Sequence, residues 1–246
     1  MNNPGQCKLC GTMGELRDSH ILPEFIYKPM YDDKHRFEVI HPDQAPQKMQ
    51  KGLRERLLCG NCEGQLAKYE KYVKEFIYDG KNGSGEWHEN LLVLHGLDYK
   101  TIRLYYLSLL WRMSISTIKP FNVVDLGQRY EERIRNMILT ETPGEPEEFG
   151  FFCAIPLIDG KSSFDWMISP SWARNGGHRY YRIVIGGILC IFTTNPASIP
   201  VESRGVLIQK DGSWHILAED VRKIPCVYGF LNSVDWKALM PSLAPE

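Results

Sequence analysis

Three stretches decide how the first third of this chain folds: Cys7-Lys8-Leu9-Cys10, Leu16-Arg17-Asp18-Ser19-His20-Ile21-Leu22-Pro23, and Leu57-Leu58-Cys59-Gly60-Asn61-Cys62-Glu63. Two C-x2-C pairs offer four thiolates, the donor set of a tetrahedral structural zinc site with Zn–S bonds of about 2.3 Å. A buried apolar cysteine cluster or a redox C-x-x-C would explain one pair but not two. Gly11 and Gly60 stand where knuckle turns need them. Forty-eight residues separate Cys10 from Cys59, against about 15–20 in common metal ribbons. Each doubling of a loop costs only about 0.6 kcal/mol, so the spacing is tolerable and says that something is inserted between the knuckles. The other cysteines, Cys153, Cys190 and Cys226, sit in apolar runs and read as core residues. Seven cysteines, an odd count, argue against a disulfide framework.

Outward from the knuckles, the periodicities change twice. Arg36–His41 alternates like a strand. Leu66, Tyr69, Val73, Phe76 and Ile77 recur at helical spacing and predict a helix from about Glu63 to about Tyr78. Asp79–Gly85 reads as a turn or linker. Two helices are expected within 98–140. Asp98 N-caps the first, whose buried stripe is Ile102, Tyr105, Leu109, Leu110 and Met113. Asp125-Leu126-Gly127-Gln128 resembles a capping box opening the second. Beyond residue 150 the period becomes two. Strands are expected at 151–158, 164–168, 179–185, 188–194, 206–209 and 213–217, with hairpin turns at Gly186-Gly187 and Asp211-Gly212. Ser169–His178 reads as a candidate binding loop. Trp87, Trp111, Trp166, Trp172 and Trp214 are expected in the core.

Composition sets outer limits. Lys and Arg number 29 against 30 Asp and Glu, a net charge of −1, so the chain is no globally basic nucleic-acid binder and any such grip must be a local patch. No apolar run reaches the roughly 18–20 residues of a membrane span. Met1–Gln6 has neither a basic nor an apolar signal region, so no membrane partner and a cytoplasmic location are expected. There is no Walker A loop and no dinucleotide glycine fingerprint.

The order over residues 7–78 is knuckle, strand ending in histidine, loop, knuckle, helix. It resembles the zinc-bearing form of the HNH, or ββα-metal, endonucleases. Asp18-Ser19-His20-Ile21-Leu22-Pro23, Leu57-Leu58-Cys59-x2-Cys62-Glu63 and Leu107-Ser108-Leu109-Leu110-Trp111-Arg112 together are similar to a group of uncharacterised bacterial HNH-like proteins. The resemblance implies that His20 is the general base, an imidazole suited to work near neutral pH. It implies a catalytic Mg²⁺ or Mn²⁺ opposite it, stabilising charge on the scissile phosphate. The positions available as ligands are Asp18 and Glu63, the latter in the family's Asn/His slot. Two departures stand out: Ser19 occupies the usual acidic position before the histidine, and residues 33–58 contain no Asn.

Other uses of these residues stay open. His20 could bond backbone, Asp18 could be a solvated or capping group, and Glu63 could be a helix-start charge favoured by the macrodipole. Lys51, Arg54 and Arg56, with Lys48, form either a phosphate-contacting loop or an ordinary solvated one.

The expected fold is α+β: a zinc-bound treble-clef or ββα module in 1–80, a helical segment in 98–140, and an antiparallel β domain in 150–246 that could carry a regulatory ligand or protein. The expected function is a metal-dependent HNH-type nuclease acting on DNA ahead of RNA. The competing class is a non-catalytic, zinc-stabilised module that binds nucleic acid or protein, with Cys7, Cys10, Cys59 and Cys62 holding the metal.

Overall fold

The computed structural model describes residues 4–41, 44–80, 84–162 and 165–233. The chain is α+β. In order come β1 (Pro4–Gln6), β2 (Met13–His20), α1 (Glu24–Tyr27), β3 (Arg36–His41), β4 (Gln44–Gln50), β5 (Arg54–Cys59) and α2 (Gly60–Val73). Then follow β6 (Ser84–His88), β7 (Leu91–His95), α3 (Tyr99–Ile115), α4 (Gln128–Leu139), β8 (Phe151–Leu157), β9 (Ile168–Asn175), β10 (His178–Ile185), β11 (Ile188–Thr193), β12 (Trp214–Asp220) and α5 (Pro225–Ser233).

The N-terminal sheet runs β1-β2-β5, antiparallel throughout, while β3 and β4 form a separate hairpin inserted between β2 and β5. This hairpin is what fills the long gap between the knuckles. Helix α2 leaves directly from Cys59 and packs against β2 and β5. It begins at Gly60, three residues before the expected start at Glu63, and a wider π-type turn carries it on through Tyr78. Lys81–Gly83, within the expected linker, lie outside the described residues.

Helix α3 lies at the centre. Every residue from Ile102 to Met113 is buried, including Arg103 and Arg112, so the single apolar stripe expected from sequence is in fact burial on all sides. It packs against α2 and α4, and Tyr106 stacks on Phe151 and meets Trp214 edge-on across the sheet. The two arginines are compatible with burial because their terminal guanidinium nitrogens find oxygens, although Arg103 Nε has no acceptor among the described residues. Arg103 bonds the carbonyls of Phe149, Pro143, Glu145 and Glu148, clamping the α4–β8 connection onto α3. Asp98 caps α3 as expected, its Oδ1 accepting from the Thr101 amide at 3.1 Å. The capping box at the head of α4 does not form. Gly127 is the cap residue, Asp125 accepts from the Gly127 amide, and Glu131 takes the Ser114 hydroxyl instead.

The large sheet has the order β6-β7-β12-β8-β11-β10-β9. It is antiparallel except where β12 pairs parallel to β8, which makes it mixed rather than a simple meander. The β6–β7 hairpin, from before the helices, joins it beside β12. One expected strand, 206–209, is absent. Pro200 instead starts a 3₁₀ stretch over Val201–Val206, and Leu207 and Ile208 are buried as irregular chain. Phe164, the expected start of another strand, lies outside the described residues, and that strand begins at Ile168. Ser169–His178 is therefore strand β9 and its turn rather than a free loop. The main apolar core runs from Cys7 and Leu9 through α3 to Trp214 and Ile216, and a smaller one gathers Val184, Leu189, Val221 and Val227.

Gly186 and Gly187, at φ 53° and 71°, join β10 to β11 in the tight turn expected of them. Asp211-Gly212 behaves differently. Only Gly212 is left-handed, at φ 81°, and the turn closes Gln209 onto Ser213 rather than joining two paired strands. A Cβ on Gly212 would lie 2.4 Å from the Leu97 carbonyl oxygen, whose own amide bonds the Gly212 carbonyl. Gly212→Ala should therefore destabilise the fold by about 1–3 kcal/mol, read as a lowered urea midpoint. An unchanged midpoint would contradict this packing.

Candidate functional site

The four cysteines converge. The Cys7 amide bonds the Thr12 carbonyl at 3.0 Å and the Gly11 amide bonds the Cys7 carbonyl at 2.8 Å, closing the first knuckle with Gly11 at φ 78°. The Lys8 amide reaches the Leu57 carbonyl at 2.9 Å, which ties this knuckle to β5 just before the second one. Gly60 does not make a matching left-handed turn, since it is already the first residue of α2. The four Sγ atoms lie within 4.8 Å of one another, and Cys10 and Cys59 are 3.8 Å apart. A tetrahedron with metal–sulfur bonds of about 2.3 Å has edges of about 3.8 Å, so the set could hold a structural metal ion. The Thr12 hydroxyl and amide hold the Cys10 thiol down to about 6, whereas burial pushes the Cys62 thiol up. Crowded thiols of this kind need a cation to deprotonate together.

His20 ends β2. The strand alternates, so Ser19 points into the core (1 % exposed) while Asp18 and His20 share the outer face. That accounts for the departure at position 19: it is an interior position. Across the ladder His20 faces Arg54 and Asp18 faces Arg56. Ile21 and Leu22 are fully buried and anchor the turn, and Pro23 starts α1. Four residues after His20, Glu24 places Oε2 2.6 Å from His20 Nε2, a close contact that is not aligned as a hydrogen bond. Tyr31 donates its hydroxyl to Glu24 Oε1 at 2.9 Å. Arg54 lies 3.5 Å from Glu24 Oε2 and 3.9 Å from Asp18. His35, stacked on Tyr31 with ring centroids 4.1 Å apart, has Nε2 4.0 Å from Glu24 Oε1. His35 sits at φ 60°, a left-handed conformation sparse for a non-glycine residue. The Asp32 carboxylate holds it there by accepting from the Lys34 and Arg36 amides, both at 2.9 Å.

Arg112, the last residue of the Leu107–Arg112 motif, braces the site from behind. It is buried, donates to the His20 carbonyl at 2.9 Å and pairs with Glu70 of α2 at 2.9 Å. The α2 acid linked to the His20 backbone through Arg112 is Glu70. Glu63 stands in the first turn of α2, directly after Cys62, with Oε1 buried and no hydrogen-bond donor among the described residues. Of the residues read from sequence, the fold brings together His20, Asp18 and Arg54. Lys51, at φ 67° just before β5, and Arg56 are exposed, and Glu55 points the other way from Arg54 and Arg56, accepting from Ser116 and Thr117. Glu24, Tyr31, His35 and Glu70 were not singled out by sequence, and Arg112 entered only as the end of the Leu107–Arg112 motif. The His20-x3-Glu24 spacing across a helix start was the one legible signal.

The catalytic divalent ion implied by the resemblance does not fit this donor set. Among the described residues only the four cysteines form a group of three or more ligand atoms with metal geometry. Both Glu24 oxygens are engaged, and Asp18 faces a guanidinium. Burial first, then the Arg54 charge, push the His20 imidazole below its ordinary 6.5, outweighing Glu24 and Glu70. Burial alone would raise Glu24, but Tyr31, His20 and Arg54 together hold it below the ordinary carboxylate value. Burial, followed by Glu24, pushes the Tyr31 phenol up to about 12. At neutral pH the site thus holds a neutral imidazole, a carboxylate, a phenol and an arginine cation.

A pH dependence follows. Because His20 is held below 6.5 when folded, an acidified unfolded chain binds a proton that the folded one refuses. The stability owed to the neutral ring is full above 6.5 and is lost as the pH falls through the folded value; Glu24 acts in the same sense further down. The thermal midpoint should fall between about pH 7 and about pH 5, and His20→Gln should flatten that fall. An equal slope in the variant would contradict it.

Trp111 and Trp214 are core residues as expected, but Trp87 and Trp172 are exposed. No helix among the described residues is long and apolar enough to cross a membrane. Compared with family models, with curated proteins and with solved structures, the chain matches none.

Proposed function

We propose that the β2–β5–α2 unit is a zinc-held module of HNH type that cleaves phosphodiester bonds, with His20 as general base. The observation that carries the reading is the half-buried imidazole at the end of β2. Its Nε2 is turned to the Glu24 carboxylate, and Nδ1 has no hydrogen-bond partner among the described residues. The carboxylate favours the tautomer with the proton on Nε2, which leaves Nδ1 to accept one from an attacking oxygen. Arg54, two ladder positions from Arg56 on the same face, supplies positive charge for a phosphate, and its Nε has no acceptor among the described residues. Lys51 and Arg56 extend that charge along the nucleic-acid backbone. Zinc suits the four thiolates by ligand type and spacing, and its part is to hold the scaffold. A surface for a ligand or protein partner on the large sheet is the β9–β10 edge, where the Arg179 guanidinium lies 4.8 Å from the exposed Trp172 ring.

The second reading is a non-catalytic metal-stabilised binding module. The absence of a second metal-ligand group among the described residues favours it. The two part in one experiment. The purified full chain should cut labelled nucleic acid, with cutting that co-elutes with bound zinc at one ion per chain. Binding without any cutting would establish the second reading and overturn the first.

A further inference from the structure

Glu24 gathers four groups of distinct chemistry. His20 and Arg54 lie on Oε2 at 2.6 and 3.5 Å, and Tyr31 and His35 lie on Oε1 at 2.9 and 4.0 Å. Two imidazoles therefore flank one carboxylate from its two oxygens. An arginine cation and a phenol complete the ring. A dication would have to displace these partners and sit against the Arg54 cation, a like-charge approach that is unfavourable. The set is instead complete for phosphoryl chemistry that needs no second metal: a base, an acid, and a fixed cation where charge develops.

Such a set lacks a means to activate a free water strongly, so it favours a nucleophile already held next to the phosphorus. Ribose provides one in its 2′-hydroxyl, with the large entropic advantage of an intramolecular attack. We propose that this site cleaves RNA by internal attack of the 2′-hydroxyl, without a catalytic metal ion. The inference rests on the phosphodiesterase reading above and reverses the preference for DNA that the sequence resemblance implies. His20 Nδ1 takes the 2′-hydroxyl proton as the 2′-oxygen bonds phosphorus. The bond from phosphorus to the 5′-oxygen breaks, and protonated His35 gives its proton to that leaving oxygen. The products are a 2′,3′-cyclic phosphate and a 5′-hydroxyl, with no oxidant or co-reactant consumed. Arg54 bears on the equatorial oxygens, Tyr31 holds Glu24 by donating to its Oε1, and the Glu24 carboxylate lies against both imidazoles, 2.6 Å from His20 Nε2 and 4.0 Å from His35 Nε2. The left-handed backbone at His35 fits this assignment, since strained conformations are retained where placement of the side chain matters.

The test uses the full chain with its bound structural metal, in buffer without added divalent ions. Three labelled oligonucleotides of one mixed sequence are compared: RNA, the same RNA with 2′-O-methyl riboses, and DNA. Product ends are read by mass spectrometry. The expected result is cutting of RNA alone, with cyclic-phosphate and 5′-hydroxyl ends, and a fall of about 10²–10⁴-fold in His35→Ala. His35→Ala with normal folding and unchanged cutting would overturn the acid assignment and with it the inference. Cutting of DNA or of 2′-O-methyl RNA, ends bearing a 5′-phosphate, or RNA cutting that requires added Mg²⁺ would overturn the inference while leaving the phosphodiesterase reading intact. No cutting of any substrate, with or without Mg²⁺, would overturn both.

Discussion

Replacing His20 with Ala should lower the rate of phosphodiester cleavage by about 10²–10⁴-fold, the range that a positioned general base supplies. The substitution removes the ring but not the backbone carbonyl that Arg112 holds, and Ser19, Ile21 and Leu22 remain as the buried anchors of the turn. Fold and bound metal should therefore survive. The ring is only half-buried, which limits the packing lost. His20→Asn would keep a polar group near Glu24 without a ring nitrogen able to act as base, and should be equally slow. If His20→Ala cuts at the parent rate while folded, His20 is not the base. Metal content measured in parallel separates lost chemistry from lost structure.

Replacing Cys59 with Ser should abolish stable metal binding and unfold the N-terminal unit. Apparent binding free energies for structural zinc in small modules run to about 10–16 kcal/mol, comparable to the whole stability of a typical domain, about 5–15 kcal/mol. Cys59 also carries the junction between β5 and α2, and its amide lies 3.4 Å from Cys7 Sγ. Without the ion, crowded thiols remain where burial already resists ionisation of Cys62. The core would transmit the damage, because Cys7, Leu9 and Cys62 are continuous with α3. The expected signs are loss of the metal by elemental analysis, rapid proteolysis within residues 1–80, and low solubility. A folded variant, or a parent protein carefully prepared and found to contain no metal, would contradict the account of this site.

Much of this was legible from local pattern. The C-x2-C spacing of each knuckle, the strand ending at His20, the helix that opens at the second knuckle, the Asp98 cap and the Gly186-Gly187 turn each show in patterns of a few residues. What was hidden depends on long-range partners. The parallel pairing of β12 with β8 depends on how the 194–213 connection packs, and its prolines and 3₁₀ turns carry no period-two signal. The all-round burial of α3 was masked by Arg103 and Arg112, which look like surface residues until their carbonyl and carboxylate partners are known. The candidate site shows the same division. His20, Asp18 and Arg54 could be read from a strand and the strand opposite. Tyr31 and His35 reach Glu24 only because the Asp32 turn folds that segment back, and Glu70 reaches His20 through Arg112 of another helix. Glu63 was placed by analogy of position after the last cysteine, and the α2 acid that Arg112 links to the His20 carbonyl stands seven residues later.

The measurement that bears most directly on His20 as a neutral general base is the pH dependence of kcat/KM for cleavage by the folded parent chain. Its acidic limb should have a midpoint below 6.5, the ordinary imidazole value, because burial and Arg54 hold the His20 ring below it. The same limb should disappear from the residual activity of His20→Ala. An acidic limb that persists in that variant, or a parent profile flat across the imidazole range, would contradict the account.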